Sequence, residues 1–286
     1  MRDQQIDIWI NRAEGVWLKS IENHITALFS GTFLPSHDHT HHRRVWHISR
    51  QLIREIGKRN DHMDYQTVEG ILIASWFHDV GLIHSTDENH GVAGSDMCRA
   101  YFRHNEGILP RSFEELLEAI RRHDQKEEQI YSGIERDRRP EILAILSMAD
   151  DLEALGTIGI YRYAEIYLER GIPLGELGER VVRNVNSRFH RLSGCSLCEA
   201  LIRSYSREWK ELVSFYEQYT KQLAATTPPE MAESGPLGVV NLIRTAGLEE
   251  HVRPELLWTR TGEERYGRFV NDYFLKLHHE LEKARC

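Results

Sequence analysis

The chain has 286 residues, room for one large domain or one domain with an appendage. Its 41% apolar content supplies a sizeable core, and no apolar stretch approaches the ~20 residues that span a bilayer. A net charge of -8, spread along the chain, argues against a protein that coats nucleic acid. The N-terminus, MRDQQIDIWINRAEG, carries acids and no apolar leader. Together these predict a cytoplasmic protein with no membrane partner and no stable nucleic-acid binding.

The periodicity is helical throughout. Ile6, Ile10, Trp17, Ile21, Ile25 and Leu28 predict a first amphipathic helix that stops at Ser30-Gly31. Val45, Ile48, Leu52 and Ile56 predict a second, ending before Gly57. Val68, Leu72, Ser75 and Trp76 lead into a third, which carries His78-Asp79 and breaks at Gly81. Further helical patterns lie around 90–104, 113–123, 140–155, 159–170 and 197–224. No stretch alternates with period two for long, and Asn-Gly and Asp-Gly hairpin pairs are absent. The expected class is all-α. Three of the eight prolines fall in TTPPEMAESGPLG, which reads as a linker over 226–238. The predicted organisation is a catalytic-type domain over 1–225, this linker, and a C-terminal helical extension over 239–286. The extension is too small to bury its own core, so it is expected to pack on the main domain or on a second subunit, as in a homodimer.

His78-Asp79 ends the apolar run ILIASWF. A carboxylate buried there without a partner costs several kcal/mol or more, so a metal partner is expected. His41 lies four residues before Val45 and shares its helix face, pointing to the core while His42 and Arg43 turn away. Asp150 sits on the buried stripe of Ile142, Ile145, Leu146 and Ala149, and Asp151 is the solvent-facing neighbour. Imidazoles and carboxylates of this kind suit Mn, Mg, Co, Ni, Fe or Zn. Cys195 and Cys198 form a lone CxxC, read as two reduced thiols near a helix start. Zinc or redox use is the alternative for this pair. Trp46, Trp76 and Phe77 read as core, with base stacking as the other option.

His41-x-x-Arg44-Val45, His78-Asp79-x-Gly81 and Ala149-Asp150-x-Leu152-x-x-Leu155-Gly156 occur in the order H…HD…D. In this order and these helical contexts the chain resembles the HD-domain superfamily of metal-dependent phosphohydrolases, over about residues 15–220. The runs HDHTHHRRVW and ADDLEALGTIGIYR resemble especially its small stand-alone bacterial branch, some members of which hydrolyse nucleoside triphosphates. The resemblance implies a helical bundle with metal ligands His41, His78, Asp79 and Asp150. His90 and His123 resemble the extra histidines that hold a second metal in dinuclear branches. His123 otherwise reads as a helix-terminal or phosphate-facing histidine.

The implied reaction is hydrolysis of a phosphate ester or anhydride of a small metabolite, with a nucleotide as leading substrate, by a metal-bound water. Asp79 is the central catalytic position. Asp87 and Glu88, in the loop after the HD helix, are the candidates to orient water or donate a proton. Arg44, Arg121, Arg122, His123 and Arg162 are the candidates to hold phosphate. Two other classes compete: a dinuclear-iron oxygenase of the same superfamily, and a non-catalytic metal- or ligand-sensing HD module.

Overall fold

The computed structural model describes residues 2–86, 89–104, 109–125, 131, 134–262 and 266–283. Among the described residues there is no strand, and the chain is all-α. None of these helices is long and apolar enough to cross a membrane. The chain divides into two compact units, one of 1–153 with 190–204 and one of 154–189 with 205–286.

The first unit begins with α1 (Arg2–Ala13) and α2 (Lys19–Phe29), joined by a five-residue π turn, Glu14–Leu18. The extra residue in that turn moves the buried stripe, so Phe29 is buried where Leu28 was expected. Glu14 then accepts from Trp46 Nε1 at 2.8 Å and Trp17 Nε1 donates to Glu69 at 2.9 Å. These bonds fasten the N-terminal helices to α3 (His39–Gly57) and α4 (Tyr65–Phe77). Both of those helices start on an aspartate cap: Asp38 accepts from Thr40 N at 2.9 Å, and Asp64 from Thr67 N at 2.8 Å.

α4 is the axis of this unit. Every residue from Thr67 to Phe77 is buried. It packs on α1, α2, α3, α5 (His90–His104), α6 (Phe113–Arg122) and α7 (Ile142–Glu153). Full burial of an aliphatic or aromatic side chain contributes about 1.5–3 kcal/mol. Ile71, Leu72, Ile73, Trp76 and Phe77 therefore fix α4 from all sides while its C-terminal end presents polar groups. A 3₁₀ turn, Val80–Ile83, follows and lies against α5. The approach is so close that a Cβ on Gly81 would fall 2.0 Å from the His90 carbonyl oxygen. One on Gly94 would fall 2.8 Å from the Phe77 oxygen and 3.0 Å from that of His78. The 3₁₀ turn Ser196–Cys198 and α10 (Glu199–Ser204) complete the unit, and the Cys195 and Cys198 thiols are free and buried.

The second unit holds α8 (Gly156–Glu169), most of α9 (Leu174–Ser193), α11 (Ser206–Ala225), α12 (Gly235–Leu242) and α13 (Arg268–Lys283). Sequence periodicity missed α9, whose buried stripe is only Leu177, Val181, Val185 and Leu192. Tyrosine hydroxyls tie the layers: Tyr216 donates to Ile160 O at 2.7 Å and Tyr219 to Leu174 O at 2.9 Å. The C-terminal helices pack on α8 and α11. The predicted boundary at 226–238 does not coincide with the division into units. That segment lies inside the second unit, where Asn241 Nδ2 bonds the Pro229 and Ala232 carbonyls.

Candidate metal centre

Five helices of the first unit, α3 to α7, bring six ligand-type side chains together. His41 lies in the first turn of α3, positioned by the Asp38 cap. His78 caps the C-terminus of α4, and Asp79 follows it. Asp150 is in the last turns of α7. One ligand atom from each of these four lies within 4.8 Å of the others, and all four residues are buried. His41 Nε2 and His78 Nε2 are 3.1 Å apart. Asp79 Oδ2 is 3.2 Å from the first and 3.3 Å from the second. Asp150 Oδ1 stands farther back, at 3.8 and 4.0 Å.

The other Asp79 oxygen faces a second group. Oδ1 is 3.1 Å from His90 Nε2 and 2.9 Å from His123 Nε2, and these two nitrogens are 3.3 Å apart. Asp79, His90 and His123 form a second buried triad whose ligand atoms lie within 4.8 Å of one another. Asp79 is thus shared, with one oxygen per cluster.

The far side of each ring explains why the near side suits a cation. His78 Nδ1 donates to Ser75 O at 3.0 Å, and His123 Nδ1 to Ile120 O at 2.7 Å. Those bonds leave each Nε2 as a lone pair aimed inward. His41 Nδ1 faces Glu153 Oε2 at 3.2 Å, an ion-pair distance rather than an aligned hydrogen bond. Lone pairs converging this closely on carboxylate oxygens repel unless positive charge lies among them. A divalent ion satisfies all of them at once, so the residues fit a metal.

Protein groups alone also show the stress. Burial would push Asp79 up, but the positive charge of His78 and bonds from His123, His41 and His78 hold it well below the usual carboxylate range. Burial would push His78 down, but the charges of Asp79 and Asp150 outweigh it and raise its pKa.

Three residues that sequence reading passed over or misplaced shape the site. Glu153 Oε1 accepts from Arg44 Nε at 2.5 Å, so Glu153 spans Arg44 and His41. Asp124 Oδ2 lies 2.6 Å from His90 Nε2. His42, expected to turn outward, is fully buried between Phe29, Trp76 and His78, and burial holds its pKa well below the usual imidazole value. Asp124 had a visible signal, because His123-Asp124 repeats the pairing of His78-Asp79. Glu153 had only its place one turn after Asp150.

Of the predicted phosphate-binding residues in the first unit, His123 alone belongs to the two clusters. Arg44 is buried against Glu153 and Thr40. Arg121 and Arg122 sit in the last turn of α6 near Glu118, and only His123 reaches the cluster. Arg162 is buried on α8 of the second unit. Asp87 and Glu88 lie outside the described residues. Asp151, read as solvent-facing, is buried and accepts from the Tyr131 hydroxyl, which explains its tolerance of the interior. Trp46, Trp76 and Phe77 are core residues with no exposed face for a base.

Glu153→Gln is expected to weaken metal binding by about 10–100-fold, the usual effect of losing an outer partner of a ligating histidine. Equilibrium dialysis against Mn²⁺ measures it, and wild-type affinity would remove Glu153 from the site.

Residues 39–155 match the family model for the HD domain. No curated protein and no solved structure matches the chain.

Proposed function

With an HD domain spanning residues 39–155 as the premise, we propose that this protein is a metal-dependent phosphohydrolase acting on a small phosphorylated metabolite, with a nucleotide as the leading substrate class. The observation that carries the reading is the pair of inward imidazole nitrogens of His41 and His78, 3.1 Å apart over Asp79 Oδ2. When bound, a divalent ion in such a site lowers the pKa of a water and offsets charge on phosphoryl oxygens.

The chain's own residues do the rest. Asp79, held ionised by its histidine neighbours, supplies one anionic oxygen to each cluster. The carbonyls of Ser75 and Ile120 keep the histidines in the ligating tautomer. Glu153, anchored by Arg44, holds His41 in its place. Asp87 and Glu88 are our candidates to orient water or protonate the leaving group, because they follow the HD turn directly in the chain. Arg121 and Arg122, on the turn that carries His123, are our candidates to meet phosphate.

The test is a hydrolysis screen of nucleotides and phosphoesters with each divalent ion in turn. We expect phosphate release from at least one nucleotide, dependent on added metal. Bound metal with no turnover across the panel would favour a non-catalytic sensing module. The second triad favours one further reading, the dinuclear-iron oxygenase, since that chemistry needs both His90 and His123 as ligands. Oxygen consumption by the iron-loaded protein, with no phosphate release, would select it.

A further inference from the structure

Two of the three His-Asp pairs of this chain, His78-Asp79 and His123-Asp124, are built alike. His78 caps the C-terminus of α4 and His123 caps that of α6. Each imidazole sends Nδ1–H back to the carbonyl three residues earlier, Ser75 for the first and Ile120 for the second. Each thereby turns Nε2 toward the cluster, and each is followed by an aspartate. In the first pair that aspartate is Asp79, whose two oxygens face both clusters. In the second it is Asp124.

Asp124 reaches the second triad. Its Oδ2 lies 2.6 Å from His90 Nε2, and its Oδ1 lies 3.6 Å from His123 Nε2. His90 Nε2 is then ringed by Asp124 Oδ2, Asp79 Oδ1 at 3.1 Å and His123 Nε2 at 3.3 Å. A single proton on His90 can serve only one of these neighbours at full strength. A cation serves all, and neighbouring donors around a divalent ion with bonds of ~2.0–2.2 Å stand roughly 3 Å apart. The Asp124 side chain is 26% exposed against 6% for Asp79, so it stands on the solvent side of the cluster with room to adjust.

We propose that Asp124 is a ligand of a second divalent ion, giving that ion two imidazoles and two carboxylates, as His41, His78, Asp79 and Asp150 give the first. This rests on the metal-dependent reading above and extends it. The rival role is a simple one: Asp124 accepts a hydrogen bond and orients the His90 ring. Asparagine separates the two roles. Its amide oxygen still accepts from an imidazole N–H, but it brings no negative charge.

The experiment titrates the full-length protein, stripped of metal, with Mn²⁺ by calorimetry and counts bound ions by elemental analysis. The wild type is expected to take up two equivalents. His90→Ala should lose one of them. Asp124→Asn and Asp124→Ala should hold the second at least 10-fold more weakly while leaving the first unchanged, which also shows that the variants fold. Asp124→Glu should recover most of the second. The readout is ion uptake, so it stands whether or not the phosphate screen succeeds. A wild type that takes up fewer than two equivalents, or an Asp124→Asn variant that takes up two with wild-type affinity, overturns the assignment.

Discussion

Asp79→Ala is expected to abolish hydrolysis and to strip metal from both clusters. Among the described residues no other stands in both groups: one oxygen lies within 3.3 Å of His41 and His78, the other within 3.1 Å of His90 and His123. Losing an outer partner of a ligand costs about 10–100-fold. A carboxylate shared by two ions should exceed that, so kcat/KM on the best substrate of the screen should fall by more than about 10³-fold. Metal content should fall in parallel. Asp79→Asn keeps the shape but loses the charge, and it should fail almost as badly. Activity within tenfold of wild type, with metal still bound, would move the chemistry away from this cluster.

Removal of metal is expected to lower the melting temperature. Asp79, Asp150 and Glu153 are all buried, Asp79 and Asp150 beside the imidazoles of His41 and His78 and Glu153 beside His41 and Arg44. An ion that binds the folded state alone adds about 2.7 kcal/mol at a hundred times its Kd. At about 2–4 °C per kcal/mol for domains of 150–250 residues, EDTA should lower the transition by roughly 5–10 °C, and added Mn²⁺ should restore it. The effect should depend on pH. The raised pKa of His78 means that its proton stabilises the metal-free fold at low pH and is lost as pH rises through that value. Metal requires the same nitrogen deprotonated. The EDTA-induced drop should therefore be larger at pH 8 than at pH 6. Scanning calorimetry at both values measures it, and an equal drop would mean that protons and metal do not compete there.

The helical class was legible because apolar residues recur at the helical period and turn pairs for hairpins are missing. α9 escaped because one apolar residue per turn, with Gly175 and Gly178 near its start, leaves a thin stripe. In the site, His78, Asp79 and Asp150 stand out in sequence because each interrupts an apolar run. His42 and Asp151 were misread for a common reason. Adjacent residues on an amphipathic helix usually face different ways, but α3 and α7 have neighbours on most sides, and a polar residue survives inside once a partner meets it. Asp124 and Glu153 depend on partners far along the chain, His90 and Arg44, which no local pattern reveals.

Gly81 and Gly94 give the centre a signature that can be read without coordinates. Between the 3₁₀ turn and α5 there is no space for even a methyl group, because backbone oxygens of His90, Phe77 and His78 already fill it. Any side chain there would pry α5 outward and take His90 with it. A descendant of this gene that has exchanged either letter for alanine or larger has surrendered the second half of the pocket, whatever histidines it still spells. Divergent copies can therefore be sorted by two characters, neither of which touches an ion.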